Sequence, residues 1–166
     1  MIFPSRLRWL SLTLFVVVAD RATKALIESR TTEGWHRELI HNFVYLVHSK
    51  NPGIAFSMFA NSPSPYLKTA LIAVSLIFIA ILAWLLVTSA SATWLTFAGL
   101  ALLIGGAAGN LTDRIVHGAV TDFFEVWFGT YRYPAFNVAD SAITIGAILV
   151  LLDVLLFSPR ESNPKH

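Results

Sequence analysis

Four long apolar runs, cut apart by polar stretches, constrain this chain more than any other feature. They cover roughly residues 7–27, 66–87, 94–111 and 138–157. A helix that crosses a bilayer needs about 20 mostly apolar residues. Hydrocarbon offers the backbone no water to bond, so a helix is the economical way across. The spacing therefore predicts a mainly α membrane protein with four transmembrane helices. Only 13% of the 166 residues are charged, against about 25% in an ordinary soluble domain. One integral-membrane domain over residues 1–166 is expected, with outer loops at 28–65 and 112–137.

The first run follows Arg6 and Arg8 and resembles a secretory leader. Its helical pattern continues through Asp20-Arg21-Ala22-Thr23-Lys24, so it reads as a retained span. Four spans place both termini on one side. Arg6, Arg8, Arg160 and Lys165 put that side in the cytoplasm.

The loop 28–65 reads as folded. Residues 39–47 are rich in β-branched and aromatic types, Asn51-Pro52-Gly53 is turn chemistry, and residues 54–59 read as a second strand. A small extracytoplasmic β-sheet from the first outer loop is expected.

Several classes of chemistry are disfavoured. The chain has no cysteine, hence no disulfide, thiol nucleophile or thiolate metal site. No Gly-x-Ser-x-Gly elbow occurs. The five histidines show no HExxH pattern, and His117 with Asp113 is a weak metal pair. No Lys/Arg cluster points to nucleic acid. No metal and no cofactor is expected.

The acids are the anomaly. A carboxylate at mid-bilayer costs about 2.5–3.5 kcal/mol even on lenient scales. Asp20, Asp113, Asp122 and Asp140 stand at or beside the ends of apolar runs, and Asp153 lies inside the last one. Each has a structural explanation. Asp20 and Lys24 form an i,i+4 helix pair. Asn51-Pro52-Gly53 makes a turn. Gly105 and Gly109 make a small-residue seam for close helix packing. Asn137 with Asp140 is a variant capping box. Asp153, nearly opposite Asp140 around its helix and about 20 Å along it, reads as structural. These explanations leave two facts aside. Gly106, Asn110 and Asp113/Arg114 share one helix face, and Asp122 sits between apolar neighbours in a loop that dips toward the interface.

Taken in order, the motifs resemble those of the lipoprotein signal peptidase (signal peptidase II) family, membrane aspartic peptidases of bacteria. The resemblance runs from Asp20 to Asp153. It rests on Asp20-x-x-Thr23-Lys24, Asn51-x-Gly53-x-Ala55-Phe56-Ser57 and Gly105-Gly106-Ala107-x-Gly109-Asn110-x-x-Asp113-Arg114. Val120-x-Asp122-Phe123 and Phe136-Asn137-x-Ala139-Asp140 complete the set. It implies Asp122 and Asp140 as the catalytic pair. Asn51, Gly53, Gly106, Asn110, Arg114, Asn137 and Ala139 stand around them, with Asp20 and Lys24 in support. It also implies a diacylglyceryl-modified prolipoprotein substrate cut just before its lipidated cysteine, membrane lipid as a partner, and a globomycin-type inhibitor. The location implied is the bacterial inner membrane, with the active site near the outer face.

The chemistry suits the residues. Two close carboxylates sharing a proton can supply both base and acid to one water. Arg114 and Asn110 suit the fixing of peptide carbonyls. A monomer suffices, since both acids lie in one chain. The rival reading is a small membrane transporter or proton relay using the same acids. It predicts acids spread through the membrane depth, whereas four of the five gather near the outer ends.

Overall fold

The computed structural model describes residues 6–53, 66–89 and 93–157. In chain order the elements are α1 (Trp9–Arg30), β1 (His36–Ile40), β2 (Val44–Asn51), α2 (Leu67–Thr88), α3 (Trp94–Val116), β3 (Val120–Phe128), β4 (Tyr131–Phe136) and α4 (Val138–Phe157). Four helices and one small antiparallel sheet make up the described residues.

Helix α3 is the hub, packed against α1, α2 and α4. Its apolar stretch is 72% buried, against 11% for those of α2 and α4. Its composition explains this. Small residues from Gly99 to Gly109 let neighbouring backbones close in, which drives helix association where lipid removes the hydrophobic incentive. A Cβ on Gly106 would press into the backbone carbonyl of Ala139 on α4, nearer than real Cβ atoms come. Gly105 faces Val16 of α1, and Gly109 faces the Asp20 carboxylate. Opposite this seam, Leu100, Leu103 and Ile104 pack against Leu82 and Leu86 of α2.

Gly106→Ala should therefore push α4 away from α3 and carry Asp140 with it. Overpacking of this kind costs about 1–3 kcal/mol. The thermal unfolding midpoint in detergent should fall. A variant with the native midpoint would show that the seam can yield.

Three helices, α2, α3 and α4, are long and apolar enough to cross a membrane among the described residues. Helix α1 carries Asp20, Arg21 and Lys24 within its run. Val16, Asp20 and Lys24 are its buried residues, at steps of four on one face. That face meets α3, while Leu14, Phe15 and Val18 are exposed on other faces.

The sheet has the order β1-β2-β3-β4, every pairing antiparallel. It corrects the sequence expectation in two ways. Residues 39–47 are not one strand: a turn at 41–43 divides them, with Asn42 in the left-handed region at φ 53°, which Asn tolerates better than most residues. The sheet also does not come from the first outer loop alone. The stretch expected to dip into the interface forms β3 and β4, turned at Gly129 with φ 62°. Its aromatic and β-branched residues suit a pleated surface as well as a lipid one. The strand expected at 54–59 lies outside the described residues. Helix α3 also runs on to Val116, so Asp113 and Arg114 sit inside it rather than beyond the run ending near 111.

Candidate active site

The sheet and the bundle meet where β3, β4 and the first turn of α4 converge on α3. A cavity of about 380 Å³ opens there. Its walls include Asn51, Asn110, Arg114, Asp122, Tyr133 and Asp140. A larger cavity of about 630 Å³, walled by residues such as Trp35, His48 and Trp127, shares no residue with it and holds neither Asp122 nor Asp140.

Asp122 comes from β3 and Asp140 from α4, and Asn137 ties them together. The Asn137 Nδ2 donates to Asp122 Oδ1 at 2.8 Å. The Asn137 backbone N–H donates to Asp140 Oδ2 at 3.2 Å, and the Asp140 N–H returns a bond to Asn137 Oδ1 at 2.9 Å. This is a reciprocal helix cap, so the structural reading of Asn137 and Asp140 holds. It coexists with a second role, because the same amide reaches across to the other acid.

Each acid takes one further amide. Asn51 Nδ2 donates to Asp122 Oδ2 at 3.3 Å, and Asn110 Nδ2 donates to Asp140 Oδ1 at 2.8 Å. Asn110 thus supports an acid directly. Its Oδ1 accepts from Lys24 Nζ at 3.1 Å and Asn137 Nδ2 at 3.2 Å, which settles which end of the amide faces Asp140.

Burial, together with the charge of Asp140, pushes the Asp122 carboxyl up to about 7. Two donated bonds from Asn51 and Asn137 oppose this and do not cancel it.

Arg114 spans from α3 to the turn that follows β2. Its Nη2 donates to the Gly53 carbonyl at 3.0 Å and its Nη1 to the Asn110 carbonyl at 3.3 Å. Gly53 in turn donates its N–H to Asn51 Oδ1 at 3.0 Å, so the Asn-Pro-Gly turn orients the amide that faces Asp122.

Behind the acids lies a buried ionic cluster. Lys24, Asp20 and Asp113 are each fully buried. Lys24 Nζ meets Asp20 Oδ2 at 2.7 Å and Asp113 Oδ2 at 2.8 Å, and Arg21 pairs with Asp113 Oδ1. Two acids and two bases balance. Asp20 Oδ1 also accepts the Ala139 N–H at 3.0 Å, one of the donors a helix start leaves over. The i,i+4 pair seen in the sequence is thus real and is the smaller part of its role: it fastens the turn that bears Asp140. Ala139 serves through its backbone and fills the gap against Gly106 and Gly109.

The candidate residues therefore gather in one region, and Asp153, expected to be structural, lies apart from them. Asp153 accepts from Thr93 and, at 2.6 Å, from Thr96 on α3, a structural link between helix ends. Sequence reasoning left out Asp113 as a support, although its shared face with Gly106 and Asn110 was visible. It also left out Glu28, Lys50 and Thr121, which no local pattern marks.

A helical membrane protein with a polar, acid-walled cavity under a sheet is the class that fold and site define. Residues 12–156 match the family model described as signal peptidase (SPase) II. The lipoprotein signal peptidase of Vibrio cholerae is 40% identical over 164 residues, 98% of this chain and 94% of the relative. That of Pseudomonas putida is 42% identical over 163 residues, 97% of this chain and 94% of the relative. A solved structure titled as a bacterial membrane enzyme, at 2.3 Å, superposes with a TM-score of 0.81 and 27% identity, covering 100% of this chain and 96% of that one. The chain belongs to the signal peptidase II family and is a protease.

Proposed function

We propose that Asp122 and Asp140 are the catalytic pair of this peptidase and hold the attacking water between them. The protein removes signal peptides from prolipoproteins, as its relatives are named for doing. The reading is carried by one observation: two acids from distant stretches line one cavity and are bridged by a single residue, Asn137.

Each step has a residue. Asp122 carries the shared proton, and Asp140 takes a proton from water as the water oxygen attacks the scissile carbonyl. Asp122 gives its proton to the carbonyl oxygen, forming a gem-diol. The C–N bond then breaks as Asp140 passes its proton to the leaving nitrogen and a diol hydroxyl returns one to Asp122, leaving a carboxyl and an amine. Asn137, Asn51 and Asn110 hold the carboxylates in place throughout. The substrate carries diacylglyceryl on the cysteine that follows the cut. Its acyl chains lie among membrane lipids, against the exposed apolar faces of α2 and α4.

Four spans complete the picture, α1 included, because its charges turn inward to α3 and its apolar side outward. The start of α1 lies by the end of α2 through Arg6 and the Val87 carbonyl. The end of α4 lies by the start of α3 through Asp153. That end of the bundle carries Arg6 and Arg8 and faces the cytoplasm of a bacterial inner membrane. The acids and sheet then lie near the outer face. The protein works as a monomer and takes an inhibitor of the globomycin type in the same cavity. The transporter reading is not favoured: Asp153, the acid apart from the others, is held by two threonines.

The test is cleavage of a diacylglyceryl-modified prolipoprotein by the pure protein in detergent, with EDTA present, across pH. Turnover should persist under EDTA. It should decline as pH rises through about 7, where Asp122 loses the proton it must donate. The sign follows from a carboxyl held above its usual range: the competent form lies on the acid side. A rate that climbs through that range would remove the shared-proton scheme.

A further inference from the structure

Thr121, the residue before Asp122, is fully buried and bonded on every polar atom. Its N–H donates to Asp113 Oδ2 at 3.2 Å. Its carbonyl accepts from Asn137 Nδ2 at 3.3 Å. Its hydroxyl donates to Glu28 Oε1 at 2.5 Å, and Lys50 Nζ donates to that hydroxyl at 2.7 Å. Lys50 also bonds Glu28 Oε1 directly at 2.7 Å. A hydroxyl has one proton to give and lone pairs to receive with. Here the proton goes to the carboxylate and the ammonium supplies the incoming bond, so neither role can be exchanged.

The three groups come from the end of α1, from β2 and from β3, so the knot ties the bundle to two strands. Lys50 pairs with Thr121 across the sheet, and its neighbour Asn51 donates to Asp122. Asp122 is thus bracketed. The chain before it is fixed by the knot, and its carboxylate is met by the residue after Lys50. Glu28 and Lys50 stand outside the motifs that mark the acids, and Thr121 fills an unspecified position within one.

We propose that Thr121 is a positioning residue for signal-peptide cleavage, its hydroxyl pinned between Glu28 and Lys50 so that Asp122 stays against Asn137. The inference rests on Asp122 being one of the catalytic pair.

Two substitutions of opposite kind separate positioning from packing. Thr121→Val keeps the shape and the β-branch and loses only the hydroxyl. Thr121→Ser keeps the hydroxyl and loses a buried methyl group. Reacting groups displaced by about 1 Å can cost about 10²-fold in rate. Thr121→Val should therefore lower kcat by about 10- to 100-fold with KM little changed, while Thr121→Ser stays near the native kcat. Cleavage of a lipidated prolipoprotein in detergent measures both. The reverse order would show that the methyl matters and overturn the proposal, as would equal loss in both or native kcat in both. Should Thr121→Val not accumulate in membranes, Lys50→Met cuts the same knot from β2. Reduced kcat at unchanged KM supports the proposal there, and native kcat overturns it. Asp122→Asn is assayed alongside. If it is inactive while Thr121→Val is fully active, only the positioning role falls. If Asp122→Asn turns over, the catalytic reading beneath it falls instead.

Discussion

Asp122→Asn and Asp140→Asn should each remove prolipoprotein cleavage while leaving the protein in the membrane. An amide keeps the size of the carboxyl and cannot accept or pass the proton. General acid or base groups contribute on the order of 10²–10⁴-fold, and here each acid is needed in both halves of the reaction, so losses at the upper end are expected. The hydrogen-bond map adds to this. Asp122 accepts from Asn137 and Asn51 on its two oxygens, and Asp140 accepts from Asn110 and the Asn137 backbone. An Asn side chain can satisfy one of those donors and must turn its own N–H toward the other. The spans contain nothing that this change makes more polar, so membrane levels should match the native protein. Turnover retained in either variant, at equal membrane level, would take that residue out of the chemistry.

Lys24→Met should have the largest effect on stability. Lys24 is fully buried and has three partners: Asp20, Asp113 and Asn110. Removing one member of a buried ion pair costs about 3–5 kcal/mol, because the charge left behind has neither water nor partner. Asp113 keeps Arg21, whereas among the described residues Asp20 keeps only the Ala139 N–H. Pairing Lys24→Met with Asp20→Asn should therefore regain part of the loss, since the stranded charge is then gone. Thermal unfolding in detergent reads both steps. A single variant that unfolds at the native midpoint would mean that the cluster is solvated after all. Activity should fall in the single variant as well, because Asn110 loses the ammonium that points its amide at Asp140.

These two predictions treat different layers of one site. In the proposed scheme the acids act on the substrate, and the cluster beneath them holds the first turn of α4. The layers connect through Asn110 and Ala139, each contributed by a different helix. An aspartate and a lysine inside an apolar run of a membrane bundle are costly when alone. Here they balance each other and give the helix start a partner.

The sequence exposed some of this and hid the rest. The helices were legible because length and apolarity are local properties. Their ends were less so, since Asp113 and Arg114 continue α3 as a polar end that only tertiary partners satisfy. The acids were legible because they are anomalous in oil. The sheet was read in half: residues 120–136 are rich in the β-branched and aromatic types that suit a strand, yet those aromatics fit an interfacial loop equally well. Thr121, Glu28 and Lys50 gave no signal, as a threonine before an acid and a salt bridge across 22 positions look like ordinary surface residues until the chain is folded.

Composition and periodicity alone determined a lipid-embedded helical bundle with acids at one end, because burying a backbone in hydrocarbon permits few other forms. Only the tertiary structure decided which acids meet, that Asn137 joins them, and that a buried lysine sets the amide beside them. Those choices depend on side chains far apart along the chain competing for the same few donors, and no local pattern encodes the winner.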